Sequence, residues 1–301
     1  MKTLEKLIFV CIALLLVGAG MSYTTVSAAT AGTTVKEFPY ALSIDGKKVE
    51  FAASSQPLIM NGTALVPFRP IFEQLGLTIT WKTAEKRISG ESNELDLAMT
   101  LGSKKATVNG KIMDMPAAPS IINGTTYVPL RFIGEASGGE LQLYGAEGGH
   151  NAWFLSKKQL DLFHAVAGED MSAVEKLLQQ GADPTIGVGP LGPTVASFAP
   201  FKSDNVEMTA LFLKYGMDIN YVEPFVGTTI LHDAVSDGRY NMVKFLLENG
   251  ADPTLQSRLG TPLEIAQRGS MALSDDFTIT YNVDDALITL LTSYIENYET
   301  K

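Results

Sequence analysis

The chain has 301 residues, a formal net charge of −10 and a single cysteine. The length allows two domains, and the acidic balance argues against nucleic acid or an anionic lipid surface as the partner. The lone cysteine and three histidines leave no material for a disulfide framework or a Cys-ligated zinc site.

The chain opens like an export signal. Lys2 and Lys6 give a basic start, residues 7–19 are apolar, and Val26-Ser27-Ala28 supplies the small residues of a cleavage site. The apolar run is short for a membrane span, which needs about 20 residues, so the expectation is a signal peptide at 1–29, with an uncleaved anchor as the alternative. Cys11 lies inside that run with Val10 before it, which argues against lipidation. The mature chain then has no cysteine and no membrane span.

The next segment is an internal duplication. Pro57-Leu58-Ile59-Met60-Asn61-Gly62-Thr63-Ala64-Leu65-Val66-Pro67-Phe68-Arg69 is echoed 62 residues later by Pro119-Ser120-Ile121-Ile122-Asn123-Gly124-Thr125-Thr126-Tyr127-Val128-Pro129-Leu130-Arg131. Each copy is an apolar strand, an Asn-Gly turn and a second apolar strand, which is a strong hairpin signal. Each Val-Pro-x-Arg leads into a helix, expected at 70–75 and 132–136, with Glu73 and Glu135 in equivalent places. Matched turns stand ahead of the copies at Ile44-Asp45-Gly46-Lys47 and Val108-Asn109-Gly110-Lys111, and 95–101 alternates as a strand should. After the second copy, 145–150 reads as loop and 152–155 as the last strand.

This doubled Asn-Gly-x-x-Val-Pro-x-Arg pattern resembles the N-terminal stalk domain first named in copper amine oxidases, a module of exported proteins in Gram-positive bacteria. The resemblance implies a stalk domain at 36–155 and a secreted or envelope location. It implies no oxidase chemistry, because the copper and quinone belong to a different domain of those enzymes.

The C-terminal half repeats at a different period. Gly181-Ala182-Asp183-Pro184, Gly216-Met217-Asp218-Ile219 and Gly250-Ala251-Asp252-Pro253 are spaced by 35 and 34 residues. Each follows an apolar helix, and a period near 33 marks a stacked helical repeat. Gly227-Thr228-Thr229-Ile230-Leu231-His232-Asp233-Ala234 and Gly260-Thr261-Pro262-Leu263-Glu264-Ile265-Ala266 closely resemble the ankyrin signature Thr-Pro-Leu-His-x-Ala. Units are expected near 158–188, 192–222, 227–258 and 260–299, the last with an insertion at 270–281 and a capping helix at 283–298. The fold class is therefore α+β: a small duplicated β-hairpin/helix stalk domain followed by an all-α ankyrin-like solenoid of about four repeats, at 157–299.

Few residues read as chemistry. His150, His164 and His232 lie in different units, and no pair has the spacing of a helical metal site. His164 and His232 align with the ankyrin histidine, whose work is structural. Arg69 and Arg131 start helices at duplicated places and read as scaffold, pairing with Glu73 or Glu135. Asn61-Gly62-Thr63 and Asn123-Gly124-Thr125 match a glycosylation acceptor but are explained by the hairpins. The Gly-rich stretch 187–193 lacks the lysine of a phosphate loop. No metal, cofactor or catalytic residue is expected.

What remains is a surface. Repeats present their loop tips in a row, so Leu191, Tyr221, Phe225, Arg258 and Leu259 are the candidate protein-binding ridge. The alternative for Tyr221 and Phe225 is inward packing, which would move the interface to the inner helices around 232–237. The functional expectation is an exported, non-enzymatic adaptor that binds a protein at the cell envelope. The alternative is a protein that binds or hydrolyses a cell-wall polymer or glycan through the stalk domain.

Overall fold

The computed structural model describes residues 34–146, 149–187, 189, 194–197, 206–223, 226–273 and 279–298. The expected export signal, Leu191 and Phe225 lie outside the described residues. Among the described residues, no helix is long and apolar enough to cross a membrane.

The N-terminal half is built from strands β1 (Val35–Glu37), β2 (Ala41–Ile44), β3 (Lys47–Lys48), β4 (Leu58–Met60) and β5 (Thr63–Pro67), helix α1 (Phe68–Gln74), and strands β6 (Thr78–Lys82), β7 (Arg87–Glu91), β8 (Asp96–Thr100), β9 (Lys105–Val108) and β10 (Lys111–Asp114). Then come β11 (Ser120–Ile122), β12 (Thr125–Pro129), α2 (Leu130–Ala136), β13 (Glu140–Ala146) and β14 (Gly149–Leu155). Asn61 and Asn123 sit at φ 49°, Asp45 and Asn109 at φ 47°, each followed by a glycine of positive φ. These are the left-handed pairs that a two-residue hairpin turn demands, and short Asx side chains tolerate them best.

The duplication becomes one sheet in the order β1-β4-β5-β12-β11, in which β1 has no counterpart beside β11. Its two copies meet at β5 and β12, antiparallel, with Val66 facing Val128. Those two valines are 62 residues apart, so equivalent residues face each other across the centre of the sheet. A second sheet, β10-β9-β8-β7-β6, and a third, β13-β14-β2-β3, complete the half. Residues 145–146 and 149–150, expected as loop, are instead strand: β13 and β14 pair from Glu140↔Leu155 to Ala146↔Gly149. Glycines there carry no side-chain signal, yet the backbone ladder needs none.

One apolar core serves this half, with Phe72, Val128, Ile88, Leu97 and Ala152 fully buried. α1 can lie close to β7 because Gly90 has no side chain: a Cβ there would stand 2.6 Å from Phe72 Cδ2 and 3.0 Å from Leu77 Cδ1. In the second copy the sizes are exchanged. The helix position 62 residues after Phe72 is Gly134, and the bulk comes from Phe154 on β14, 3.2 Å from a Cβ built on Gly134.

Arg69 Nη1 stands 3.7 Å from Glu73 Oε1, both side chains well exposed, and its guanidinium lies 5.7 Å from the Phe68 ring. Arg131 is exposed and makes no ion pair among the described residues. The duplicated arginines are thus weaker supports than their repetition implied. Arg69→Ala should cost no more than about 0.5 kcal/mol and Arg131→Ala less still, read from urea midpoints.

The C-terminal half contains α3 (Lys157–Ala167), α4 (Met171–Gln179), α5 (Val206–Lys214), α6 (Ile230–Ser236), α7 (Tyr240–Glu248), α8 (Pro262–Arg268) and α9 (Asp285–Tyr298). Its separate core includes the fully buried Leu162, Val174, Phe212, Leu231, Val243, Leu246 and Leu291. The loops after the helices close on Asx turns. Asp183 Oδ1 accepts from Thr185 N at 2.8 Å, Asp218 Oδ1 from Asn220 N at 2.9 Å and Asp252 Oδ1 from Thr254 N at 2.8 Å. The insertion in the last unit is a hairpin, β15 (Ser270–Leu273) with β16 (Ile279–Asn282).

The two halves join without a linker. β14 ends at Leu155 and α3 starts at Lys157, so only Ser156 lies between. Ser156 caps α3 and donates its own N–H to Asp45 Oδ1 at 2.8 Å. Burial pushes the Asp45 carboxyl above its ordinary pKa, partly offset by the bonds from Ser156. Beside this joint, a Cβ on Gly46 would stand 3.1 Å from Ile186 Cδ1.

Candidate functional site

The inner helices of the repeats start from N-cap hydroxyls, and in the third and fourth units the residue three further on reaches back to the cap. In the third unit Thr229 is the cap, and His232 Nδ1 accepts from Thr229 N at 3.1 Å with Thr229 Oγ1 at 2.8 Å. Because Nδ1 accepts a backbone N–H, the ring proton sits on Nε2, which donates to Leu255 O at 3.1 Å. One side chain thereby fixes a helix start and the next loop. Burial holds the His232 pKa below 6.5, keeping the ring neutral as this bonding requires.

The other units use other residues. Glu264 accepts from Thr261 N at 2.8 Å. In the second, Thr194 Oγ1 accepts from Ser197 N at 3.1 Å. In the first, Gln159 accepts from Asp183 N and donates to Asp183 O, both at 2.9 Å. The expectation that His164 fills this place in the first unit is incorrect. His164 lies late in α3 and is exposed; Gln159, three residues after the Ser156 cap, bridges to the next loop, while the Ser156 N–H is taken by Asp45. Matching by residue type missed this because the amide offers the same donor and acceptor as a neutral imidazole.

On the ridge itself, Leu259 is 44% exposed. Arg258 is exposed beside it and its N–H donates to Val226 O at 3.1 Å. Tyr221 is half-buried, and burial raises its hydroxyl pKa while Thr185 bonds to it. It lines a small crevice with Thr185, Ser197, Glu223 and Thr228. Tyr221 thus sits between the two readings, with its ring packed and its hydroxyl in a polar network.

Two residues that carried no signal alone stand on the neighbouring inner helix. Asp233 and Asp237 are four apart on α6 and at its end. Burial raises each to a pKa of about 6, with Asp237 and Glu223 adding to the rise at Asp233 and Arg239 opposing it at Asp237. Ser197 and Thr228 hydrogen-bond Asp233. The spacing of carboxylates on an inner helix was the available signal. The charge is also unevenly divided. Up to residue 156 there are 13 Lys and Arg against 13 Asp and Glu, and from 157 on there are 10 against 20. The whole net charge therefore lies on the repeat half. Among the described residues, no three His, Cys, Asp or Glu side chains converge as metal ligands.

These pKa directions fix the pH dependence of stability. The native carboxyls at about 6 take up protons before their unfolded counterparts at 3.8, so the cost of burying them charged is present at neutral pH and relieved as pH falls through 6. His232 works the other way, because the unfolded chain protonates first below 6.5. Two carboxyls outweigh one imidazole, and acidification also reduces self-repulsion. The melting temperature of the repeat half should therefore be higher at pH 5 than at pH 7.5. Asp233→Asn should raise the neutral-pH value and flatten the difference, as read by circular dichroism.

Comparisons with known proteins agree with this division. Residues 43–148 match the family model described as copper amine oxidase N-terminal domain, and 162–257 match that described as ankyrin repeats (3 copies). The ankyrin repeat and KH domain-containing protein mask-1 of Caenorhabditis elegans is 32% identical over 110 residues, covering 35% of this chain and 4% of that protein. A protein described as a protease inhibitor in Brevibacillus choshinensis is 28% identical over 137 residues, 45% of this chain and 38% of that protein. The chain thus spans well under two thirds of either relative. Among solved structures, the ankyrin repeat domain of Bcl-3 matches with 25% identity and a TM-score of 0.35, over 44% of this chain and 50% of that one. The chain joins a copper amine oxidase N-terminal domain to a run of ankyrin repeats.

Proposed function

We propose that this is an exported, non-enzymatic binding protein of the bacterial cell envelope, in which the ankyrin half docks a protein partner. The matched repeats carry this reading, since such stacks serve protein interaction. The contact surface is the ridge of Tyr221, Arg258 and Leu259, to which the repeat spacing of the sequence adds Leu191 and Phe225, both outside the described residues. The partner is expected to present a basic face, because the entire net charge of −10 falls on the repeat half.

Capture from envelope extract with the full chain identifies the partner, and variants then test the surface. Burying one large apolar side chain contributes roughly 1.5–3 kcal/mol. Leu259→Ala and Phe225→Ala should each weaken binding by about tenfold or more with unchanged melting. Raising salt should slow association. If both variants bind normally, the ridge is not the interface.

The similarity to a protein described as a protease inhibitor favours a protease as the first partner class to try. Adding the full chain to trypsin-like and subtilisin-like proteases and finding unchanged hydrolysis rates would dismiss that class.

A further inference from the structure

A cleft of about 430 Å³ opens on the N-terminal half, between the end of β1, the start of β2 and the segment following β3. That volume is in the range of small-molecule sites. Three half-buried aromatic residues line it, Phe38, Tyr40 and Phe51. The Phe38 and Tyr40 rings are 5.2 Å apart and tilted, and the His150 ring meets Tyr40 edge-on at 5.3 Å. Glu37, Phe38 and Tyr40 precede residue 43, where the family match begins. The cleft is therefore made where residues ahead of the matched segment meet its first residues, Lys48 to Pro57.

Its polar groups are acceptors with capacity to spare. The Glu37 carboxylate lies on an exposed strand and has no hydrogen-bond or ion-pair partner among the described residues. Gln56 spends its amide N–H groups on Phe51 O at 3.2 Å and Ala52 O at 3.0 Å, leaving the carbonyl oxygen unused. Lys48, the cation in the lining, is held by Glu50 at 3.0 Å. What remains is an aromatic floor, an acceptor-rich rim and one uncompensated negative charge.

We propose that this cleft is a saccharide subsite that takes a pyranose ring of an amino-sugar chain. The apolar C–H face of such a ring covers an aromatic face, and its hydroxyl and ammonium groups donate to Gln56 and Glu37. The ammonium gains further from the π-face of Tyr40. A lipid tail would bury the rim acceptors without partners, which is costly. A proline-rich peptide fits aromatic grooves but brings few donors, and an anionic ligand meets Glu37. This site is separate from the ankyrin ridge, so each stands or falls alone.

The test titrates the full chain with tetraglucosamine, tetra-N-acetylglucosamine and cellotetraose, by calorimetry and by NMR of the aromatic rings. Saturable binding of tetraglucosamine is expected, tighter than that of the other two, with shifts at Phe38, Tyr40 and Phe51. Tyr40→Ala should weaken it about tenfold or more, and Tyr40→Phe should retain most of it. Glu37→Gln, on an exposed strand where folding is not at risk, should abolish the preference for the amine. The proposal is overturned if no tetrasaccharide saturates, if the preference survives Glu37→Gln, or if a proline-rich decapeptide binds the cleft instead.

Discussion

Phe72→Ala should destabilise the N-terminal half by about 3–5 kcal/mol, the range for emptying a fully buried phenylalanine site. Phe72 is 0% exposed, and the facing position on β7, Gly90, offers no side chain to fill the space. Gly90→Phe alone should also be destabilising, since even a Cβ there would stand 2.6 Å from Phe72. The second copy shows that the opposite arrangement works, with Gly134 on the helix and Phe154 on the strand. The combined variant Phe72→Gly with Gly90→Phe should therefore be more stable than the sum of its parts, by a coupling of about 1 kcal/mol or more. Urea denaturation of the four chains measures this. Simple additivity would mean that the helix-to-strand spacing, not the ring, sets the packing.

His232→Ala should cost the repeat half about 3 kcal/mol. The substitution removes a helix cap, worth about 1 kcal/mol. It also strands the buried Thr229 N–H and the Leu255 carbonyl, at roughly 1–3 kcal/mol for each orphan that water does not reach. Thr229 is 2% exposed, so its N–H gains little from solvent. His232→Gln should recover part of the loss, because the Gln159 amide in the first unit already bridges to the backbone of the following loop. His232→Glu can restore the cap, as Glu264 does for Thr261, but a carboxylate cannot donate to Leu255 O. The expected order in thermal melts is wild type, Gln, Glu, Ala. If Ala equals wild type, the histidine is a bystander.

Much of this architecture is legible because it depends on local signals that repeat. Asn61-Gly62 and Asn123-Gly124 announce hairpins through backbone sterics alone, and the Gly-x-Asp loops do the same for the solenoid. Misreadings arose where a role is shared by unlike residues. Gln159 stands in for a histidine, and His164 has the right identity in the wrong place. The β13–β14 hairpin was hidden because glycines at 145 and 149 speak against strand while the cross-strand ladder decides. Arg69 forms the expected pair with Glu73, while Arg131 makes no ion pair among the described residues. The spacing of Asp233 and Asp237 is legible in the sequence, but what perturbs them is burial in the folded stack, which local sequence does not carry.

Ser156 closes the account of the joint between the halves. A stack of repeats has two raw ends, and each needs a cover before it can exist alone in water. Here α9 lies at one end, while the other is met by the turn at Asp45 and Gly46, which holds Ser156 N at 2.8 Å and lies against Ile186. The turn at Asp45 and Gly46 thus braces the first unit of the solenoid as well as adjoining it. Severing the chain at 156 would not release two independent parts. It would remove the Asp45 bond to Ser156 and the Gly46 approach to Ile186, so a repeat fragment should melt lower than the repeats do in the full chain, as read by circular dichroism.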